Sequence, residues 1–239
     1  MLDAAPELDD RDSCRAKMQK PQIPIFMEIT DAEWDEMVRL LCLREKKFKK
    51  NTIIFHQGDI TEEMGIVIKG NVNIESVDVS GNVSLLGNAE AGDVFAETYA
   101  LCGEAMAVDA VATSETVILF LPMKQLMHEK NAGYSWYGKM QANIIRMLSK
   151  KNLVLSNRIF CTTPKKIRDR VYTYLSMQRV RSGCRKFKIP FNRQQMADYL
   201  NLDRSALSKE LGLMQEEGIL SFYKNEFELL EAEEYDVKR

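Results

Sequence analysis

Residues 190–224 read PFNRQQMADYLNLDRSALSKELGLMQEEGILSFYK, and this stretch spells two short helices, a tight turn and the start of a hairpin. Asn192 is placed to cap the first helix, and Gln195 three residues on completes a capping box. Met196, Ala197 and Leu200 form its apolar stripe. Leu202 fills the turn and Asp203 caps the second helix, in which Leu207, Leu211 and Met214 recur at i, i+4 and i+7 as one buried face. Gly218 marks its stop. Beyond it, Ile219–Tyr223 and Glu226–Leu229 are two runs of high β-propensity around the polar turn Lys224-Asn225, which predicts a hairpin. Two helices followed by a hairpin make a winged helix-turn-helix, a more specific pattern than either part. Ser205, Ser208, Lys209 and Gly212 project away from the apolar stripe, with Arg204 at the shoulder of that face. A helix lying in the major groove would present Arg204 and Ser205 at its leading end. The plain alternative is a solvated face on an ordinary helical hairpin.

The charge distribution favours nucleic acid. The net formal charge of −2 conceals an uneven chain, because residues 162–224 hold 13 Lys or Arg against 6 Asp or Glu. That balance of +7 suits a phosphate backbone. Residues 1–161 hold 18 against 23, and the last 15 residues hold 2 against 6.

At 239 residues the chain has room for a second core besides this module. The segment through about Pro24 is charged and poor in β-branched residues, which predicts a mobile or loosely packed tail. Thr30 and Glu33 form another capping box, before Trp34, Met37, Val38 and Leu41 at helical spacing. From Phe48 to about Pro122 the period shortens. Thr52–Phe55, Gly65–Lys69, Val72–Val77, Val83–Leu86 and Val117–Leu121 read as strands, separated by Gly58-Asp59, Gly70-Asn71, the hairpin loop Ser80-Gly81-Asn82, and Gly92-Asp93. Many short strands at regular spacing imply a β-roll or jelly roll.

Tyr134–Phe160 predicts one long helix with two apolar seams. Met140, Ile144, Met147 and Val154 form one seam; Tyr137, Ile145, Leu148, Leu155 and Ile159 form the other. One seam is expected on the roll and the other on a partner subunit, the alternative being that both are intramolecular core. Thr162-Thr163-Pro164 breaks the helix as a hinge, and Lys165–Met177 restarts as the first helix of the DNA module. The fold class is therefore α+β. Its parts are a β-roll domain at 25–132, a dimerisation helix at 133–161 and a winged helix-turn-helix domain at 162–239.

Several function classes are excluded or weakened by composition. No apolar run is long enough to span a bilayer, and Asp3, Glu7, Asp9 and Asp10 stand where a secretory signal would be basic and then apolar, so no membrane association and a cytoplasmic location are expected. Cysteines 14, 42, 102, 161 and 184 are scattered without zinc or disulfide spacing, and are expected to be mostly reduced and structural. A cupin-like enzyme would need clustered histidines, whereas His56 and His128 are 72 positions apart; no nucleophile or phosphate-loop motif is present, so no catalytic or metal site and no cofactor is assigned. A dimeric signalling module acting through protein partners is a further alternative, disfavoured by the basic face.

The order of roll, long helix, hinge and winged helix resembles the Crp/Fnr family of bacterial transcription regulators over nearly the whole chain. The resemblance is carried by His56-Gln57-Gly58-Asp59, Ile66-Val67-Ile68-Lys69-Gly70, Gly92-Asp93 before Glu97, and Leu202-Asp203-Arg204-Ser205-Ala206-Leu207-Ser208-Lys209. It implies a cyclic-nucleotide-binding-like roll and a homodimer on a pseudo-palindromic operator in double-stranded DNA. RNA polymerase is a further partner, and an unidentified small molecule or a redox signal is the effector. Ser205, Ser208 and Lys209 resemble the base-contacting set and Arg204 a base or phosphate contact, with Arg193 and Gln194 completing the DNA-binding candidates. The Fnr-type set usually has Glu, Ser and Arg, from which Ser205 and Lys209 depart. Cyclic-AMP receptors pair a carboxylate with an adjacent Arg-Ser. Here Glu97 matches the carboxylate, either as a ligand or as a cap on nearby amides, while Met106 and Ala107 stand where the phosphate ligands belong. A buried phosphodiester would lack charge-assisted partners there, so a different effector is expected at Glu97, Met106 and Ala107. Iron–sulfur ligation would need about four convergent cysteines, and His56 and His128 lack a haem motif. A redox role for Cys14 with Cys161 or Cys184 stays open.

Overall fold

The computed structural model describes residues 18–77 and 83–230. The chain divides into two compact units, one up to Met147 and one from Leu148 onward.

In the first unit the helix α1 (Asp31–Leu41) starts where the Thr30–Glu33 capping box closes. The Glu33 carboxylate also accepts from Ser135 Oγ at 2.6 Å and from Lys139 Nζ at 2.8 Å, both on the later helix α4 (Ser135–Thr162). Burial raises its pKa, but the Lys139, Ser135 and Thr30 bonds outweigh that and hold it down at about 2. The segment before α1 is tied down rather than loose over its described part. The Trp34 indole donates to Met18 O at 2.8 Å and Lys20 Nζ to Ile29 O at 2.5 Å. The rest of the tail, Cys14 included, lies outside the described residues, as does the expected Ser80–Asn82 loop.

Among the described residues, eight strands follow: β1 (Arg44–Phe48), β2 (Ile53–Phe55), β3 (Glu63–Lys69), β4 (Asn71–Val77), β5 (Val83–Glu90), β6 (Val94–Phe95), β7 (Asp109–Ala112) and β8 (Thr116–Pro122). They form two four-stranded antiparallel sheets, ordered β1-β8-β3-β6 and β2-β7-β4-β5. Their shared core holds Phe48, Val67, Val72, Phe95, Met106, Ile118 and Phe120, with Phe55 packed against it. Phe55 meets Phe120 edge-on at 5.9 Å and Phe95 at 6.0 Å. The corner at Gly70 needs glycine twice over, since its φ is +89° and a Cβ would run into Thr116 and Glu115 O. At the other corners an aspartate closes the turn: the Asp59 carboxylate accepts from His56 N, and that of Asp93 from Glu90 N. The short helices α2 (Glu97–Cys102) and α3 (Met123–Leu126) complete the unit, burying Ala100, Met123 and Leu126.

Within this unit, the first half of α4 is buried along one face. Trp136, Met140 and Ile144 have no exposure, and the Asn143 amide donates to Ile25 O and Met27 O at 3.1 and 2.8 Å. From Leu148 on, Leu153, Val154, Leu155, Ile159 and Phe160 are 57–65 % exposed. The first expected seam is buried at Met140 and Ile144 and opens at Val154, whereas the second is open at Ile145, 61 % exposed, as well as at Leu155 and Ile159.

In the second unit, α5 (Ile167–Ser182), α6 (Arg193–Tyr199) and α7 (Arg204–Glu216) pack with a three-stranded sheet ordered β10-β11-β9, from β9 (Lys186–Lys188), β10 (Leu220–Tyr223) and β11 (Glu226–Leu229). Val171, Leu175, Met196, Leu200, Leu207, Leu211, Met214, Leu220 and Phe227 are its main core residues. The strand β9 was not foreseen, and its exposed Lys186 and Lys188 flank the single inward Phe187. Among the described residues no helix is long and apolar enough to cross a membrane.

Candidate nucleic-acid interface

The α6–turn–α7 geometry follows from local hydrogen bonds. Asn192 Oδ1 accepts from Gln195 N and Gln195 Oε1 from Asn192 N, both at 2.9 Å, so α6 starts at a complete capping box. The chain turns through Asn201, whose φ of +55° is a left-handed conformation that asparagine tolerates, and Leu202 N reaches back to Ala197 O at 2.9 Å. Asp203 then caps α7 by accepting from Ser205 N and Ala206 N. With Leu207, Leu211 and Met214 fully buried, Arg204, Ser205, Ser208 and Lys209 face solvent and Gly212 is half-buried. Gln194 is exposed on α6, where its amide donates to Asp198 Oδ1 at 2.8 Å.

Arg193 is placed differently. Its guanidinium lies over Phe222 at 4.9 Å and Phe227 at 5.7 Å, and Nη2 donates to Lys224 O at 3.3 Å. Half-buried on the wing hairpin, with a pKa lowered by that burial, its cation holds the wing. The wing tip carries exposed Tyr223 and Lys224, with Lys224 Nζ 5.4 Å over the Tyr223 ring and Lys224 at a φ of +55°.

Three arginines that set the orientation of these helices were not singled out from the sequence. Arg168 on α5 donates to Glu217 with two nitrogens at 2.6 and 2.9 Å and to Glu210 at 2.7 Å, gripping α7 at two points two turns apart. These bonds, Glu217 first, raise its pKa, and Arg168 lowers that of Glu217. Arg170 donates to Pro164 O at 2.7 Å and to the turn carbonyl of Asn201 at 3.2 Å. Arg158 reaches Asp198 O and Tyr199 O, both at 3.3 Å. The pairing of Glu210 and Glu217 on one face of α7 is visible in the spacing, but the arginine that meets them is 42 residues away from the nearer.

In the roll, the three effector-binding candidates are not brought to one surface. Glu97 is buried at the start of α2, the Met106 side chain is in the roll core, and Ala107 is exposed. The Met106 backbone pairs with the Gly58-Asp59 corner, through Gly58 N to Met106 O at 2.7 Å and Met106 N to Asp59 O at 2.8 Å. The buried polar side chains among the described residues include no lysine or arginine. Cys161 alone of the four described cysteines is buried; Cys42, Cys102 and Cys184 are exposed, which corrects the expectation that most are structural. Both histidines are exposed, and His128 Nδ1 accepts from Lys130 N.

Residues 45–129 match the family model of the cyclic nucleotide-binding domain, and residues 169–234 match that of the Crp-like helix-turn-helix domain. No curated protein matches the chain in sequence. Among solved structures, CprK complexed with OCPA is similar in fold, with a TM-score of 0.60 and 14% identity over 82% of this chain and 92% of that one. A CooA double mutant from Carboxydothermus hydrogenoformans has a TM-score of 0.54 and 18% identity over 92% of this chain and 95% of that one. A roll of the cyclic-nucleotide-binding class followed by a Crp-like helix-turn-helix defines a DNA-binding transcription regulator rather than an enzyme. The chain belongs to the Crp/Fnr family.

Proposed function

We propose that this regulator acts as a homodimer, in which two copies of α7 read the half-sites of a pseudo-palindromic operator under control of a signal sensed in the roll. The observation that carries the reading is the second half of α4. Five large apolar side chains remain 57–65 % exposed there, on a helix whose first half buries Trp136, Met140 and Ile144 completely. Such a stripe is covered in a soluble regulator, and a second copy of the same stripe fits it with two-fold symmetry. Residues 25–132 are assigned to sensing, 133–161 to dimerisation and 162–239 to DNA. Arg204, Ser205, Ser208 and Lys209 are assigned to the groove, with Gln194 on the adjoining backbone and Arg193 orienting the wing.

For the effector, the lack of a buried cation among the described residues supports a ligand without a phosphodiester, because a desolvated phosphate needs charge-assisted partners. A redox signal through Cys161 is less favoured. That thiol is fully buried beside Met177 Sδ at 3.5 Å, and burial pushes its pKa up, away from the reactive thiolate. RNA polymerase is the expected further partner. The test is a mobility-shift titration on promoter DNA across salt concentrations. Binding by two chains per site, with affinity falling steeply as salt rises, is expected. A single bound chain, or binding indifferent to salt, would contradict the reading.

A further inference from the structure

The hydrogen bonds at the start of α7 restrict what one of its exposed side chains can ask of a base. Asp203 Oδ1 accepts from Ser205 N at 2.8 Å and Ala206 N at 3.0 Å, and the same oxygen accepts from the Ser205 hydroxyl at 2.5 Å. A hydroxyl has one proton and two acceptor lone pairs, and an ionised carboxylate only accepts. The proton of Ser205 is therefore committed to Asp203. The side chain is exposed, so the part of Oγ left for a partner is its lone pairs. The Ser205 bond is also the leading cause holding the Asp203 carboxyl below its ordinary range, and even an ordinary aspartate is ionised at neutral pH.

This matters because an unconstrained serine reads either polarity, turning its proton toward an acceptor or its lone pairs toward a donor. Arg204 and Lys209 on the same face carry donors only. In the major groove, guanine O6 and N7, adenine N7 and thymine O4 accept, while adenine N6 and cytosine N4 donate. We propose that Ser205 is a specificity-determining residue acting purely as an acceptor, selecting the exocyclic amine of adenine or cytosine at one base pair of each half-site, with Asp203 as the positioning residue that fixes this polarity. The inference rests on the reading that α7 enters the major groove. It deepens that reading by fixing one hydroxyl of the recognition face as an acceptor beside the donors of Arg204 and Lys209.

The test begins by enriching bound duplexes from a random pool with the full-length protein, and comparing wild type, Ser205→Ala and Asp203→Asn. Asparagine caps a helix as well as aspartate does, so the last variant keeps the fold while its neutral carbonyl oxygen holds the Ser205 proton less tightly than the carboxylate does. Ser205→Ala is expected to flatten the preference at one base pair per half-site. At that pair, a base analogue lacking only the amine weakens wild-type binding by roughly three- to ten-fold, the worth of one hydrogen bond, and leaves Ser205→Ala unaffected. A 7-deaza purine or a base lacking the keto oxygen there changes neither. Asp203→Asn loses part of the dependence on the amine. Sensitivity to the keto oxygen or N7 instead of the amine, or full amine dependence in Asp203→Asn, overturns the proposal while leaving the recognition helix in place. Enrichment of no sequence by wild type overturns the groove reading and this inference with it.

Discussion

Truncating Leu155 to alanine should break the association of two chains far more than it disturbs either one. Leu155 is 59 % exposed in the single chain, so most of its side chain has yet to leave water. Burying a whole leucine side chain is worth about 1.5–3 kcal/mol, and the open fraction scales this to about 1–2 kcal/mol. A two-fold interface uses the residue twice, which brings the loss to about 2–4 kcal/mol per dimer, or about 30- to 1,000-fold in Kd. Ile159→Ala, at 65 % exposure, should act similarly. Sedimentation equilibrium across protein concentration measures the constant, and circular dichroism shows whether the helix survives. Val180→Ala, on α5 and 82 % exposed, is the control, and should leave Kd within about two-fold. A wild-type chain that stays monomeric, or a dimer whose Kd is indifferent to both α4 substitutions, would show that this stretch of α4 is not the contact between copies.

Three further outcomes are expected. Lys209→Ala should weaken specific binding more than non-specific binding in competition titrations, and equal loss on all sequences would assign Lys209 to the phosphate backbone. Cyclic AMP should leave the melting temperature unchanged, whereas a concentration-dependent rise would show that the Met106 region accommodates a phosphodiester after all. Glu33→Gln should cost about 2 kcal/mol in urea unfolding at pH 7, the scale of a bond to a charged group. Because the folded pKa of Glu33 is depressed to about 2, its contribution is complete above the unfolded-state value near ~4.3 and fades as pH falls toward 2, where mutant and wild type should converge.

The features legible in the sequence are those whose cause is local. Thr30 with Glu33, Asn192 with Gln195, and Asp203 each announce a helix start because the capping atoms lie within three residues of the amides they satisfy. Gly58, Gly70 and Gly92 mark corners because positive φ is a property of the residue itself. Strands without an apolar alternation stayed hidden. β1, at a sheet edge, is mostly exposed Glu and Lys, which blunt the edge but erase the strand signal. β6 is only two residues long, and β9 shows one inward phenylalanine. On the recognition face, Arg204, Ser205, Ser208 and Lys209 were visible because helical spacing separates them from Leu207, Leu211 and Met214. The wing contacts of Arg193 were not visible there, because the aromatic rings that hold it are brought alongside only by the folded wing. The grip of Arg168 on Glu210 and Glu217, and the change of burial along α4, depend likewise on what packs nearby.

The most direct test of the central claim is a hydroxyl-radical footprint of the wild-type protein on a duplex enriched from a random pool. Two protected stretches related by a two-fold axis, their centres about one helical turn or a whole multiple of it apart, are the predicted result. One protected stretch without a symmetric partner, or uniform protection along the duplex, would contradict a symmetric pair of recognition helices.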